Sequence, residues 1–163
     1  MKSGISIRHM AVADLDRVLA VAETLPQAPH WPRSAWLDAI HSQFEPEVTP
    51  RRIALVAADS QPGSVLGFAV ASLLPPQAEL ETIAVAPKMQ RLGVGERLFQ
   101  VLAAEVKAAG VGELLLEVRA SNRPALAFYR ALGFVKTGVR PGYYADPIED
   151  AVLMRLALAE KPS

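Results

Sequence analysis

The chain has 163 residues, 51% of them hydrophobic, which is the size of one ordinary domain with enough apolar side chain for a sizeable core. Lys plus Arg and Asp plus Glu each number 17, and this formal net charge of zero argues against nucleic-acid binding through overall positive charge. The absence of cysteine removes disulfides, thiolate metal sites and cysteine nucleophiles together, and no uninterrupted run of 18 apolar residues is present to span a membrane.

Residues 5–8 alternate apolar and polar and predict a first strand. Leu15, Val18, Leu19 and Ala22 recur at three- and four-residue spacing and predict a helix over about 11–25, with Asp14 and Asp16 serving its first turn. Pro26, Pro29 and Pro32 then mark a loop, and a second helix is expected over 34–44 with Ser34 as its N-cap. Strands follow at 53–58 and 65–74, joined by a turn containing Pro62 and Gly63, and Pro75-Pro76 ends the second of them. Another strand spans 80–85 and stops at Pro87. A long helix covers 93–109 and ends at Gly110 and Gly112. The nearly continuous apolar run at 114–118 predicts a strand covered on both faces. A helix over 124–132, with Pro124 in its first turn and Gly133 past its end, precedes two final strands near 134–139 and 151–158.

This order predicts an α/β (α+β) fold: one domain over residues 1–158, with a mixed, mainly antiparallel central sheet and helices on both faces, and a frayed tail at 159–163. The N-terminal segment has no apolar stretch of signal-peptide length, so a cytoplasmic location is expected, with neither membrane nor nucleic acid as partner. His9, His30 and His41 lack metal-ligand spacing, and no metal is expected. Monomer and homodimer both remain open.

Gln90-Arg91-Leu92-Gly93-Val94-Gly95 lies between a predicted strand and the long helix. Glycines let the backbone approach a ligand closely, and the first N–H groups of a helix lack internal partners at the positive end of its dipole. A diphosphate laid there satisfies both, with Arg91 and Arg97 adding charge, and a glycine-containing helix start that only makes a turn fits these residues equally well. No Gly-Lys-Ser/Thr follows, so the segment is not a P-loop. Leu98 stands where the dinucleotide fingerprint needs its third glycine.

One helix and one strand further on, residues 122–134 read N-R-P-A-L-A-F-Y-R-A-L-G-F. The pair of motifs resembles the GCN5-related N-acetyltransferase (GNAT) superfamily. Residues 80–85 (L-E-T-I-A-V), 116–122 (L-E-V-R-A-S-N), Tyr143-Tyr144 and Glu149-Asp150-Ala151 narrow the resemblance to the bacterial ribosomal-protein-alanine N-acetyltransferases. The close match covers about half the chain. Trp31 resembles the family's tryptophan after its first helix, with Pro32 where a serine is usual.

The resemblance implies a GNAT-like fold with acetyl-CoA as cosubstrate. Backbone groups of Ile83, Ala84 and Val85 are then expected to hold the acetyl-pantetheine arm. Amides of Arg91, Leu92, Gly93, Val94, Gly95 and Glu96 would hold the diphosphate, and Asn122 the arm or nearby backbone. Glu117 resembles the general base and Tyr129 the general acid, with Glu81 as a rival base. Tyr143, Tyr144, Glu81 and Trp31 are candidates for the acceptor side. The implied acceptor is the N-terminal amine of a protein, alanine first, in a small-subunit ribosomal protein. A small amine, or acyl-CoA binding without catalysis, remain alternatives.

The chemistry wants these residue types. A free α-amine is partly protonated at neutral pH, and only the neutral form attacks a thioester, so a carboxylate that accepts the proton helps. A backbone N–H can stabilise the tetrahedral oxyanion, and a tyrosine hydroxyl can protonate the departing thiolate. Glu117 can also be read as a strand residue paired with an arginine, Tyr129 as a packing aromatic, and Tyr143-Tyr144 as the closure of a hairpin. Glu149 and Asp150 either neutralise an incoming amine or cap the loop, and Glu79 is expected to be exposed.

Overall fold

A computed structural model describes residues 4–158; the tail expected at 159–163 lies outside the described residues. Strands β1 (Ser6–His9), β2 (Arg51–Ala58), β3 (Gly67–Leu74), β4 (Gln77–Val85), β5 (Glu113–Arg119), β6 (Val135–Tyr144) and β7 (Glu149–Ala157) form one sheet in the order β1-β2-β3-β4-β5-β7-β6. All neighbours are antiparallel except β4 and β5. Helices α1 (Leu15–Glu23), α2 (Arg33–Ser42), α3 (Val94–Ala108) and α4 (Arg123–Ala131) pack on the sheet. Among the described residues no helix is long and apolar enough to cross a membrane.

Alternation along β2 divides the core. Ile53 and Leu55 join Leu98, Leu102 and Val106 of α3 and Leu126 of α4 on one face. Ala54 and Val56, with Phe68 and Val70 of β3, meet Leu15 and Val18 of α1 and Trp36 and Ile40 of α2 on the other. This is the two-faced burial that the mixed order of elements predicts.

Several boundaries differ from expectation for local reasons. A 3-10 turn at Val12–Asp14 precedes α1. Asp14 is buried, accepts from the Ala11 N–H at 2.8 Å and takes two hydrogen bonds at 2.7 Å from the Arg8 guanidinium. Ser34 is not the N-cap of the second helix. α2 starts at Arg33 after an extended Pro32, with no side-chain cap. Pro75 and Pro76 form the turn into β4 rather than a break before a later strand, so β4 starts at Gln77. The expectation that residues 114–118 are covered on both faces is corrected as well. Leu114, Leu116 and Val118 are buried on the α3 side, while Leu115, Glu117 and Arg119 are only half-buried. The helices of the opposite face, α1 and α2, pack on β2 and β3 and leave β5 beyond their reach.

One irregularity positions the site. Val70 pairs with Thr82 but Ala71 pairs with Leu80, so Glu81 is an extra residue in β4. Such a bulge reverses which residues point to which face. Ala78 and Leu80 before it, and Ile83 and Val85 after it, all face the α3 layer, while Ala84 faces the α1–α2 layer.

Candidate active site

β4 and β5 pair only between Gln77–Glu79 and residues 113–115, then part. Below the parting the edge of β4 has no strand beside it among the described residues, so backbone groups along 82–84 that face away from β3 have no strand partner there. The parting opens a cavity of about 780 Å³, within the range of small-molecule sites. Its walls come from β4, the loop before α3, β5, α4, Tyr144, and residues 25–30 of the loop after α1.

The floor at one end is the turn into α3. Arg91 (φ 66°) and Gly93 (φ 84°) both adopt left-handed backbone. The first helical bond is Arg97 N–H to the Gly93 carbonyl at 3.1 Å, and the amides of residues 91–96 make no hydrogen bond within the described protein. Unbonded donors in succession at a helix N-terminus are an arrangement that suits an anion. Gln90 Nε2 donates to the Val85 carbonyl at 3.0 Å and ties this turn to the end of β4. Gly95 lies against Phe128 of α4: a Cβ there would be 3.2 Å from the ring edge. Arg91 lines the cavity, but Arg97 does not supply charge to it; its guanidinium donates to the Ile5 carbonyl at 3.0 Å. Leu92 is exposed and the Val94 side chain is buried in the α3 core, so these two offer only their backbone.

Asn122 is the N-cap of α4. Its Oδ1 accepts from the Ala125 N–H at 3.3 Å, which leaves the side-chain amide N–H groups as its contribution to the cavity wall. Two turns on, Tyr129 lines the same cavity. Burial, and then the neighbouring Tyr144, push its pKa up to about 12, so the phenol keeps its proton throughout the physiological range.

Glu117 enters from the β5 side. Its carboxylate is 20% exposed and 3.3 Å from the Arg140 guanidinium. The Tyr143 hydroxyl faces the same carboxylate, whose pull on the phenolic proton raises the Tyr143 pKa. The expected Glu81 lies across the cavity in a two-pronged pair with Arg52, Nε at 2.8 Å and Nη2 at 3.4 Å. Glu79 is solvent-facing, as expected, but not idle. Burial of part of its side chain, with the charges of Glu117 and Glu81, raises its pKa against the opposing pull of Arg140 and Arg52.

The remaining candidates separate. Tyr144 lines the cavity with its ring over Arg119, 4.3 Å from the guanidinium carbon to the ring centre. Tyr143 is 45% exposed and packs edge-on against Tyr144 from outside. Trp31 packs on the buried Trp36 at 4.6 Å and lines a smaller cavity of about 210 Å³, which shares Glu81 with the main one. Glu149 and Asp150 are loop caps: Glu149 accepts from the Ser121 N–H and pairs with Arg119, and Asp150 accepts from the Gly142 N–H. Sequence reasoning missed Arg140, Arg52 and the 25–30 wall. The two arginines act across strands, and spacing along one strand carries no sign of that.

The model of the acetyltransferase (GNAT) family matches residues 17–134. Over 102 residues the chain is 41% identical to the ribosomal protein bS18-alanine N-acetyltransferase of Escherichia coli K12, a match covering 61% of this chain and 69% of that one. It is 41% identical over 97 residues to the N-alpha-acetyltransferase RimI of Mycobacterium tuberculosis, covering 57% of this chain and 60% of that one. The crystal structure of the ribosomal-protein-S18-alanine N-acetyltransferase from Escherichia coli superposes with a TM-score of 0.79 at 31% identity, covering 97% of this chain and 96% of that one. The chain belongs to the acetyltransferase (GNAT) family and is an N-acetyltransferase.

Proposed function

We propose that the chain transfers the acetyl group of acetyl-CoA to the N-terminal amine of a protein, alanine first, in a small-subunit ribosomal protein. The observation that carries the reading is the single cavity joining the unpaired edge of β4 and the free amides before α3 to Glu117 on one wall and Tyr129 on the other. The 41% identity to an enzyme named for alanine of bS18 supports the acceptor class. The chemistry of the donor set fits the coenzyme. Amides from Arg91 to Glu96 take the diphosphate, the β4 edge at Ile83, Ala84 and Val85 takes the acetyl-pantetheine arm, and Asn122 donates to the arm.

The amine nitrogen attacks the thioester carbon while its proton passes to Glu117, directly or through one water. Backbone N–H groups at the β4 edge hold the oxyanion. The carbon–sulfur bond breaks, and Tyr129 donates a hydrogen bond to the sulfur as negative charge develops. With the phenol at about 12, complete proton transfer to a thiolate whose conjugate acid lies near 8.5 is uphill by roughly 5 kcal/mol. Tyr129 therefore stabilises the leaving group, and the proton the thiol finally keeps originates on the amine. Glu81 is held by Arg52 through both oxygens, which makes it the poorer base of the two.

The test offers the purified chain, acetyl-CoA and two acceptor sets, short alanine-initiated peptides and small amines, with products read by mass spectrometry. Peptide acetylation at the α-amine is expected, falling about 100-fold in Glu117→Gln and far less in Glu81→Gln. Acetylation confined to small amines overturns the acceptor assignment, and a wild-type rate in Glu117→Gln overturns the base.

A further inference from the structure

β6 leaves register with β7 next to the cavity. Arg140 pairs with Ala151 and Tyr144 with Glu149, so residues 141–143 stand opposite Asp150 alone. Gly142 takes the bend with φ 60°, a left-handed value that glycine adopts without strain. Its N–H is pinned by Asp150 Oδ1 at 3.0 Å. The surplus residues re-aim the strand so that Arg140 and Tyr143 both reach Glu117. The Arg140 guanidinium is 3.3 Å from Glu117 Oε2, and its carbon is 5.1 Å from the centre of the Tyr143 ring.

This pairing adds little to the fold. Arg140 is 55% exposed, and an ion pair with one solvent-exposed partner contributes at most about 1 kcal/mol. The loop beyond the bend is braced instead by Arg119, which donates to the carbonyls of Ala145 and Pro147 and pairs with Glu149. Glu117 has reason to need an anchor. The charge of Glu79 on β4 acts against it, Leu153 stands opposite on β7 and offers no charge, and Arg119 on its own strand is committed to Glu149 and the Tyr144 ring. Arg140 is the group that holds it.

We propose that Arg140 is a positioning residue for acetyl transfer: from the pinned bend of β6, with Tyr143 as its partner, it fixes the Glu117 carboxylate at the cavity wall where the incoming amine must lose its proton. The inference rests on the reading of Glu117 as the base.

Steady-state kinetics with acetyl-CoA and a short alanine-initiated peptide test it on the whole chain in five forms: wild type, Arg140→Gln, Arg140→Lys, Glu117→Gln, and Glu117→Gln with Arg140→Gln. Arg140→Gln is expected to lower kcat about 10-fold while KM for acetyl-CoA and the melting temperature hold, and Arg140→Lys to recover most of the loss. In the Glu117→Gln background, Arg140→Gln is expected to cost nothing further, because it acts through the carboxylate already removed. A wild-type kcat in Arg140→Gln, a loss that Arg140→Lys does not relieve, or an equal loss in both backgrounds overturns the proposal and leaves the base assignment standing. A wild-type rate in Glu117→Gln removes the base and the proposal with it. Should Glu117→Gln turn over too slowly to measure, the comparison of Arg140→Gln with Arg140→Lys decides.

Discussion

Gly67 presses its bare α-carbon against the carbonyl oxygen of Ala84: a Cβ at residue 67 would lie 2.6 Å from that oxygen and 3.2 Å from Leu98 Cδ1. The contact is made across the β3–β4 ladder, where Phe68 pairs with Ala84 and Gly67 with Val85. Neither neighbour yields easily, since one is backbone in the strand that lines the cavity and the other is fully buried. Gly67→Ala is therefore expected to destabilise the fold by about 2 kcal/mol. For a chain of this length that lowers the melting temperature by roughly 4–8 °C. A thermal denaturation curve superimposable on the wild type contradicts the packing.

The same strand shows what spacing can and cannot reveal. The turn at 90–95 was legible as a glycine-containing helix start, and the structure leaves its amides unbonded. The helix α4 was legible through Pro124 in its first turn and Gly133 past its end, while the cap by Asn122 was not. The bulge at Glu81 was not, because an extra residue in a strand has no local signature; it appears only when Val70 and Ala71 choose their partners. The run Leu114-Leu115-Leu116 suggested two buried faces, yet Glu113, Glu117 and Arg119 alternate with it and mark the face that α1 and α2 do not reach. Arg97 sat near the phosphate turn in sequence, but its place on α3 points it to Ile5 instead. Arg140 was invisible for a related reason: its partner lies two strands away, and only the distorted β6–β7 pairing brings them together.

Gly93 makes a cleaner probe of the anion site than its neighbours. A Cβ there meets nothing within 4 Å, so the cost of Gly93→Ala comes only from its φ of 84°. That strain is of order 1 kcal/mol, enough to shift the turn while the domain stays folded. Titration calorimetry is expected to show coenzyme A binding weakened several-fold, with kcat at saturating acetyl-CoA changed much less. Unaltered coenzyme affinity would remove the turn from the binding site.

Arg8 and Asp14 give the fold a pH dependence with a defined sign. The Arg8 guanidinium, chiefly through its hydrogen bonds, holds the Asp14 carboxyl below the usual carboxylate value, and the Asp14 side chain is 7% exposed. A depressed folded-state value means that the stabilisation is complete above the unfolded carboxylate pKa, about 3.9. It is lost as the pH falls from there through the folded value. Asp14→Asn is expected to cost about 2 kcal/mol at pH 7, because the variant leaves Arg8 without its charged partner. The gap between variant and wild type should then close as the pH falls below about 4. Urea unfolding at pH 7, 5 and 3.5 measures it, and a gap that widens on acidification contradicts the assignment.

Tyr129 supplies the sharpest test of the leaving-group step. Its pKa of about 12, set first by burial and then by Tyr144, keeps the hydroxyl protonated at every pH where the enzyme can be assayed. In the proposed step its contribution is a hydrogen bond that is stronger to a developing thiolate than to a neutral thioester, and such a bond appears in kcat rather than in binding. Tyr129→Phe is expected to lower kcat about 10- to 100-fold, leave KM for acetyl-CoA nearly unchanged, and hold or slightly raise the melting temperature, since the variant buries one polar group fewer. The pH–rate profiles of wild type and variant should be parallel up to pH 10, because no ionisation of Tyr129 falls in that window. A basic limb near pH 10 present in the wild type and absent in the variant would show the phenol titrating where burial forbids it, and a wild-type kcat would leave the departing sulfur without its donor.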